Sequence, residues 1–152
     1  LLADTEGPRP AGITITADEL ANIKAAKLCI EVFDANGQAE YRGKQMLIGE
    51  TPVGEVPPNS GQLSAWQEKI VDLAPEHLGL LRMTNTLVLT NAGGDCYKFR
   101  GLALSVQKAD GTWVDTEISG RLCSSVMGWK YAEGDGFQDN RSPEITLNFP
   151  QP

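Results

Sequence analysis

The stretch Gly101-Leu102-Ala103-Leu104-Ser105-Val106-Gln107-Lys108-Ala109-Asp110-Gly111-Thr112-Trp113-Val114-Asp115-Thr116-Glu117-Ile118 decides the fold class. Two runs of alternating character flank the break Ala109-Asp110-Gly111, and alternation with a period of two marks strands that keep one face in a core. Leu102, Leu104 and Val106 alternate with Gly101, Ala103 and Ser105; beyond the break, Val114, Thr116 and Ile118 alternate with Trp113, Asp115 and Glu117. A two-residue Asp-Gly loop would pair Val106 with Asp115 and set apolar residues opposite acidic ones. A three-residue loop, with Gly111 left-handed at a bulge, pairs Val106 with Val114, Leu104 with Thr116 and Leu102 with Ile118, and keeps one face apolar. That register is the one predicted. It turns the Trp113 indole to the polar face with Asp115 and Glu117, which makes Trp113 a candidate ligand platform.

Outward from this hairpin the same grammar repeats. Short apolar runs at residues 13–16, 27–33, 44–48, 66–73, 86–90 and 145–149 are separated by turn residues, and with the hairpin they make an all-β antiparallel sandwich the expectation. Residues 17–26 and 74–81 have room for a helical turn or two, the second opening on Pro75-Glu76, which suits a helix start. Residues 1–12 hold Gly7, Pro8, Pro10 and Gly12 with little apolar pattern and read as a linker or flexible arm, leaving 13–152 as a single β-sandwich domain. The chain opens on Leu1, not on a methionine, so one module of a longer chain is expected.

The chain has 152 residues, enough for one domain that buries about 70% of its unfolded surface. Lys and Arg number 13 against 20 Asp and Glu, a formal net charge of −7, which argues against a phosphate-tracking surface and hence against nucleic acid as a partner. No apolar run approaches the ~18 residues of a membrane span, so no membrane partner is expected either. Sixteen Gly and nine Pro fit many turns between short strands, and the single histidine, His77, removes most imidazole chemistry.

Between Lys44 and Gln107 the order of features resembles the jelly-roll domains attached to β-galactosidase and β-glucuronidase type enzymes, within the galactose-binding-like β-sandwich group. Lys44-Gln45-Met46-Leu47-Ile48 looks like their strand before a tight turn, here Gly49-Glu50-Thr51, and Pro52-Val53-Gly54-Glu55 looks like the returning strand. The run from Trp66 with Val71-Asp72-Leu73 is similar to the strand before their short helical stretch, and Asn85-Thr86-Leu87-Val88-Leu89 resembles the strand after it. The resemblance implies a jelly-roll sandwich, a sugar-binding or supporting role beside a glycosidase, and a structural calcium ion in some members.

Sugar recognition needs an aromatic face for the C–H side of a pyranose and planar polar groups for its hydroxyls. The residues that offer both are Asn91, Asp95, Tyr97 and Arg100 around the Gly93-Gly94 corner, and Trp129, Lys130 and Tyr131 after Gly128. Either reading is open for each group: Tyr97 as an ordinary strand residue, or Trp129 and Tyr131 as caps on the core. Trp66 is assigned to the core. Asp34 and Asn36, and separately Asp135, Asp139 and Asn140, are the weak candidates for calcium. Among Cys29, Cys96 and Cys123, Cys96 with Cys123 is the candidate disulfide because both sit beside turn-like residues; three unpaired thiols is the alternative. No nucleophile elbow, phosphate loop or paired catalytic carboxylates appear, and His77 reads as a solvated helix residue. The expectation is therefore a non-catalytic carbohydrate-binding module of a secreted or periplasmic, polysaccharide-active enzyme, with a polysaccharide or oligosaccharide and a covalently linked catalytic domain as partners and no required cofactor. The competing expectation is a structural or protein-interaction domain that binds no glycan.

Overall fold

Apolar side chains on alternate residues draw ten short strands into two facing sheets. The computed structural model describes residues 12–152, so the expected arm at residues 1–12 lies, but for Gly12, outside them. Among the described residues the strands are β1 (Ala25–Phe33), β2 (Gln45–Ile48), β3 (Thr51–Glu55), β4 (Trp66–Asp72), β5 (Thr84–Leu89), β6 (Lys98–Gln107), β7 (Trp113–Asp115), β8 (Cys123–Ser124), β9 (Asp135–Gly136) and β10 (Ile145–Asn148). The larger sheet runs β4-β1-β6-β8-β9, with β7 beside the far end of β6, and the smaller runs β10-β5-β2-β3. Pairing is antiparallel except between β8 and β9. This is an all-β sandwich, as the alternation predicted.

Leu28, Ile30 and Val32 of β1 and Leu102, Leu104 and Val106 of β6 meet Met46, Ile48, Leu87, Leu89, Ile145 and Leu147 of the smaller sheet in one shared core. Removing a side chain as enclosed as Leu104 costs about 2–5 kcal/mol, because lost transfer energy and an unfilled cavity add. The hairpin register holds: Val106 faces Val114, Ser105 faces Asp115, and Gly111 has φ 94°.

Its last predicted pair does not hold. Thr116 Oγ1 accepts the Leu104 amide at 3.0 Å, and one residue beyond it the pairing slips, so that the Ser119 amide and not that of Ile118 donates to Leu102 O at 2.8 Å; Glu117 accepts the Asn148 amide at 3.1 Å and Ile118 is 52% exposed. Residues 13–16 are not a strand: Ile15 is buried and donates to Pro150 O, while Thr16 caps α1 (Ala17–Leu20) in a reciprocal box with Glu19. The helix is a single turn capped at Ala21, and β1 begins at Ala25. The second helical stretch is a 3-10 helix, Pro75–Leu80, started by its proline.

The Cys96–Cys123 disulfide is corrected, since all three thiols are free. Cys123 stands opposite Phe99 and joins the core, whereas Cys96 lies before β6 begins and is only half-buried. Burial pushes the Cys123 thiol up to about 11, as expected for a side chain acting as a small hydrophobe.

One irregularity shapes the outer surface. Cys29 pairs with Ala103 but Glu31 pairs with Arg100, so Gly101 and Leu102 together stand against Ile30. Gly101 carries φ 69°, where a side chain would strain the backbone although it would meet Glu31 only at ordinary contact distance. The bulge keeps Phe99 and Leu102 both inward and turns Lys98 and Arg100 both outward.

Candidate functional site: the outer face of the larger sheet

The side chains that β1, β4 and β6 do not give to the core form an outer face in register. One row across it is Trp66, Phe33 and Lys98; the next is Glu68, Glu31 and Arg100; then Ile70, Cys29 and Ala103; then Asp72, Lys27 and Ser105. Cys29 and Ala103 make a small buried cluster of their own, so the centre of the face is floored by short side chains.

At one end the face is aromatic. Phe33 is surrounded edge-to-face by Tyr131, Trp66 and Trp129 at centroid distances of 5.3, 5.6 and 6.2 Å, and Trp129 meets Tyr131 at 5.5 Å. Each such pair adds roughly 0.5–1.5 kcal/mol beyond its buried area. Phe33 is nearly enclosed, while Trp66, Trp129 and Tyr131 stay half-buried.

Lys98 holds the cluster together. Its ammonium lies 4.3 Å from the Phe33 ring centre, 5.4 Å from Trp66 and 6.0 Å from Trp129, donates to Tyr131 O at 2.7 Å and pairs with the Glu133 carboxylate. Ser124 fixes the same loop from below, donating to Glu133 O and accepting the Glu133 amide at 2.9 Å. Arg100 lies over Trp66, its guanidinium carbon 4.0 Å from the ring centre, and its Nε donates to Glu31 Oε2 at 2.9 Å. The exposed Lys130 reaches over Tyr131 at 4.8 Å. Half-open rings framed by a guanidinium, an ammonium and a carboxylate are the combination that stacking and hydroxyl recognition require.

At the other end stands Trp113, opposite Gln107, with the Lys27 ammonium 5.6 Å from its ring and bonded to Asp72 at 2.7 Å. Ser105 donates to Asp115 there at 2.5 Å.

The outer face thus collects Trp129, Tyr131, Lys130, Arg100 and Trp113 from the predicted set, and adds Trp66, Phe33, Lys98 and Glu133. Trp66 is corrected from core to this face. The other predicted ligand residues belong to the interior. Tyr97 has no exposed surface, donates its hydroxyl to Thr90 O at 2.8 Å, and burial raises the phenol well above its ordinary value near 10. Asn91 donates to Asp95 O at 2.9 Å, and Asp95 accepts the Asn36 amide at 2.8 Å; both are buried. Strand parity explains the split: Tyr97 and Phe99 point into the core, and Lys98 and Arg100 point away from it.

Around the residues weighed for calcium, the charges of Asp95 and Asp135 are met within the chain. Around residues 34–36 the cation is supplied by the chain itself: Lys44 Nζ donates to Asn36 O at 2.8 Å and Tyr41 O at 2.5 Å and lies 3.2 Å from Asp95 Oδ2. Asp34, at φ 61°, keeps a raised carboxyl pKa through burial and the nearby Asp95 charge. Asp135 is held by Arg121 at 2.8 Å, and Asp139 and Asn140 form a left-handed turn closed by Gln138 and Arg141. Among the described residues no three His, Cys, Asp or Glu side chains come together to hold a metal ion.

A cavity of about 670 Å³ is lined by Val88, Arg121, Asp135, Gln138, Arg141 and Glu144 among others. It has no aromatic wall, and its arginines are engaged by Asp135 and Glu50. Among the described residues no helix is long and apolar enough to cross a membrane.

Comparison with family models, curated proteins and solved structures found no match. The architecture itself is a two-sheet β-sandwich compatible with a jelly-roll.

Proposed function

We propose that this chain is a non-catalytic carbohydrate-binding domain of the galactose-binding-like jelly-roll type, acting beside a polysaccharide-active enzyme outside the cytoplasm. The observation that carries the reading is the half-exposed cluster Trp66, Trp129 and Tyr131 framed by Arg100, Glu31 and Lys130 on one sheet face. Aromatic faces take the C–H side of a sugar ring with little loss of side-chain entropy, because each ring has only two rotatable bonds. Guanidinium and carboxylate groups at the rim bind hydroxyls, and the loop is already fixed through Lys98, so little ordering cost opposes binding. Affinity electrophoresis of the domain through gels containing cellulose derivatives, xylan, mannan or β-glucan tests this. Retardation by at least one is expected, and Trp129→Ala should weaken it by about 2 kcal/mol, close to thirtyfold. Free migration in every gel would remove the proposal.

A second reading, a domain that supports a catalytic neighbour without binding glycan, draws on the exposed Val126 and Met127 beside the aromatic loop. It expects unretarded migration together with self-association of the isolated domain.

A further inference from the structure

We infer that Asp34, with Lys130 beside it, selects the sugar at the aromatic end: its carboxylate accepts hydrogen bonds from two adjacent hydroxyls of an uncharged sugar ring held against Trp129 and Tyr131. This rests on the carbohydrate-binding reading above. Asp34 is the first residue past β1 and directly follows Phe33, the ring that Tyr131, Trp66 and Trp129 surround. Lys130, which stands between Trp129 and Tyr131 in the chain and reaches over Tyr131 at 4.8 Å, is the cation whose charge is felt at the Asp34 carboxylate.

The fold holds Asp34 firmly in an unfavourable conformation. Its φ is 61°, and three backbone amides fix it there: its own donates to Leu63 O at 2.9 Å, that of Ala35 to Asn59 Oδ1 at 2.9 Å and that of Asn36 to Asp95 Oδ2 at 2.8 Å. The carboxylate itself supports none of this. Among the described residues it makes no hydrogen bond and no ion pair, and it sits half-buried within reach of the like charge on Asp95. A residue that is strained, repelled and unbonded lowers stability, and such residues gather where a fold presents groups to a ligand.

The other charges beside the rings are matched. Glu31 is bonded to Arg100 and Glu133 to Lys98, and Glu68 and Lys69, further along β4, add one charge of each sign. Asp34 and the exposed Lys130 are left, among the described residues, as one acceptor and one donor without an ion pair. A uronate would be repelled by the first and an amino sugar by the second. An uncharged ring satisfies both, because adjacent hydroxyls donate to the two carboxylate oxygens while another oxygen accepts from the ammonium, in charge-assisted bonds roughly twice as strong as neutral ones.

Affinity electrophoresis of Asp34→Asn beside the parent protein, through the same gels of cellulose derivatives, xylan, mannan or β-glucan, tests the inference. Asparagine tolerates φ 61°, so the melting temperature of the variant at pH 7 should equal or exceed that of the parent. Its affinity for the retarding polysaccharide should nevertheless fall at least tenfold, about 1.4 kcal/mol, and Lys130→Gln should lose about threefold. The O-methylated form of that polysaccharide keeps its C–H faces but not its hydroxyl donors, and should retard the parent no more than the unmodified form retards Asp34→Asn. Equal retardation of Asp34→Asn and the parent, with Trp129→Ala weakened, would remove Asp34 and leave a sugar site made of rings. Lost retardation with a lowered melting temperature would assign the carboxylate to the fold and overturn the inference. If no gel retards the parent protein, the carbohydrate reading falls and this inference with it.

Discussion

Two lysines are enclosed to nearly the same degree, Lys44 at 4% and Lys98 at 5% exposure, yet their surroundings differ in kind. Lys44 is held mainly by oxygen, the carbonyls of Asn36 and Tyr41 and the buried carboxylate of Asp95, with a single ring, that of Tyr97, 5.8 Å away. Lys98 is held largely by carbon, the rings of Phe33, Trp66 and Trp129, with Glu133 and the Tyr131 carbonyl at the rim. The first arrangement satisfies an interior loop and leaves nothing for a ligand. The second positions aromatic rings that remain half in solvent. An enclosed ammonium can therefore serve the fold or serve a surface, and the partners distinguish the cases.

The largest effect should come from breaking the oxygen-lined site. In Lys44→Met the Asp95 carboxylate loses its cation in the interior, and removal of one partner of a buried pair costs about 3–5 kcal/mol. Urea unfolding should register that loss with an unchanged slope, and the double variant Lys44→Met/Asp95→Asn should recover part of it by neutralising the orphaned charge. A cost below about 1 kcal/mol would mean that Asp95 is solvated in solution and that the two lysines are not different in kind.

The corresponding change at the other lysine should be milder for stability and larger for function. Met fills the aromatic enclosure in Lys98→Met, and Glu133 is half-exposed, so its charge returns to water; a loss of about 1–2 kcal/mol is expected. The hydrogen bond to Tyr131 O disappears, and with it the anchor of the Trp129–Tyr131 loop. Polysaccharide retention should fall about tenfold at a temperature well below unfolding, while Lys44→Met leaves retention of the folded fraction intact. Equal retention by both variants would erase the functional side of the contrast.

The same contrast shows what could be read from residues alone. The hairpin around Gly111 was legible because strand parity and a turn residue point to the same register. Trp113 was legible because hairpin parity sets it on the polar face, and Trp129, Tyr131 and Arg100 because they lie among glycine-rich, polar stretches. Tyr97 and Asp95 were misplaced because the Gly93-Gly94 corner invited grouping by proximity in the chain, although alternation already set Tyr97 and Arg100 on opposite faces. Lys98 was missed for a different reason: no local signal tells a solvated strand lysine from one enclosed by rings contributed from residues 33, 66 and 129. Lys44 likewise looks like any strand-edge lysine until the loop carbonyls close on it.

The smallest effect belongs beside Lys44, at Asp34, and it has a sign that pH exposes. Burial and the Asp95 charge hold the folded carboxyl above its unfolded value of 3.8, so the native state binds this proton more tightly than the unfolded chain does. The stability this group contributes is full below pH 3.8 and is lost as pH rises through the raised folded value. Asp34→Asn removes the charge and keeps a residue well suited to φ 61°. At pH 7 the variant should be more stable, by under about 1 kcal/mol because the site is partly solvated, and the gap should close as pH falls through the raised folded value and below the unfolded 3.8. Thermal melts of both proteins between pH 3 and pH 7 test it. A gap of constant size across that range would mean that the Asn backbone preference, not relief of repulsion toward Asp95, sets the difference, and would weaken the view that the Lys44 site is held by a charge balance with no cation to spare.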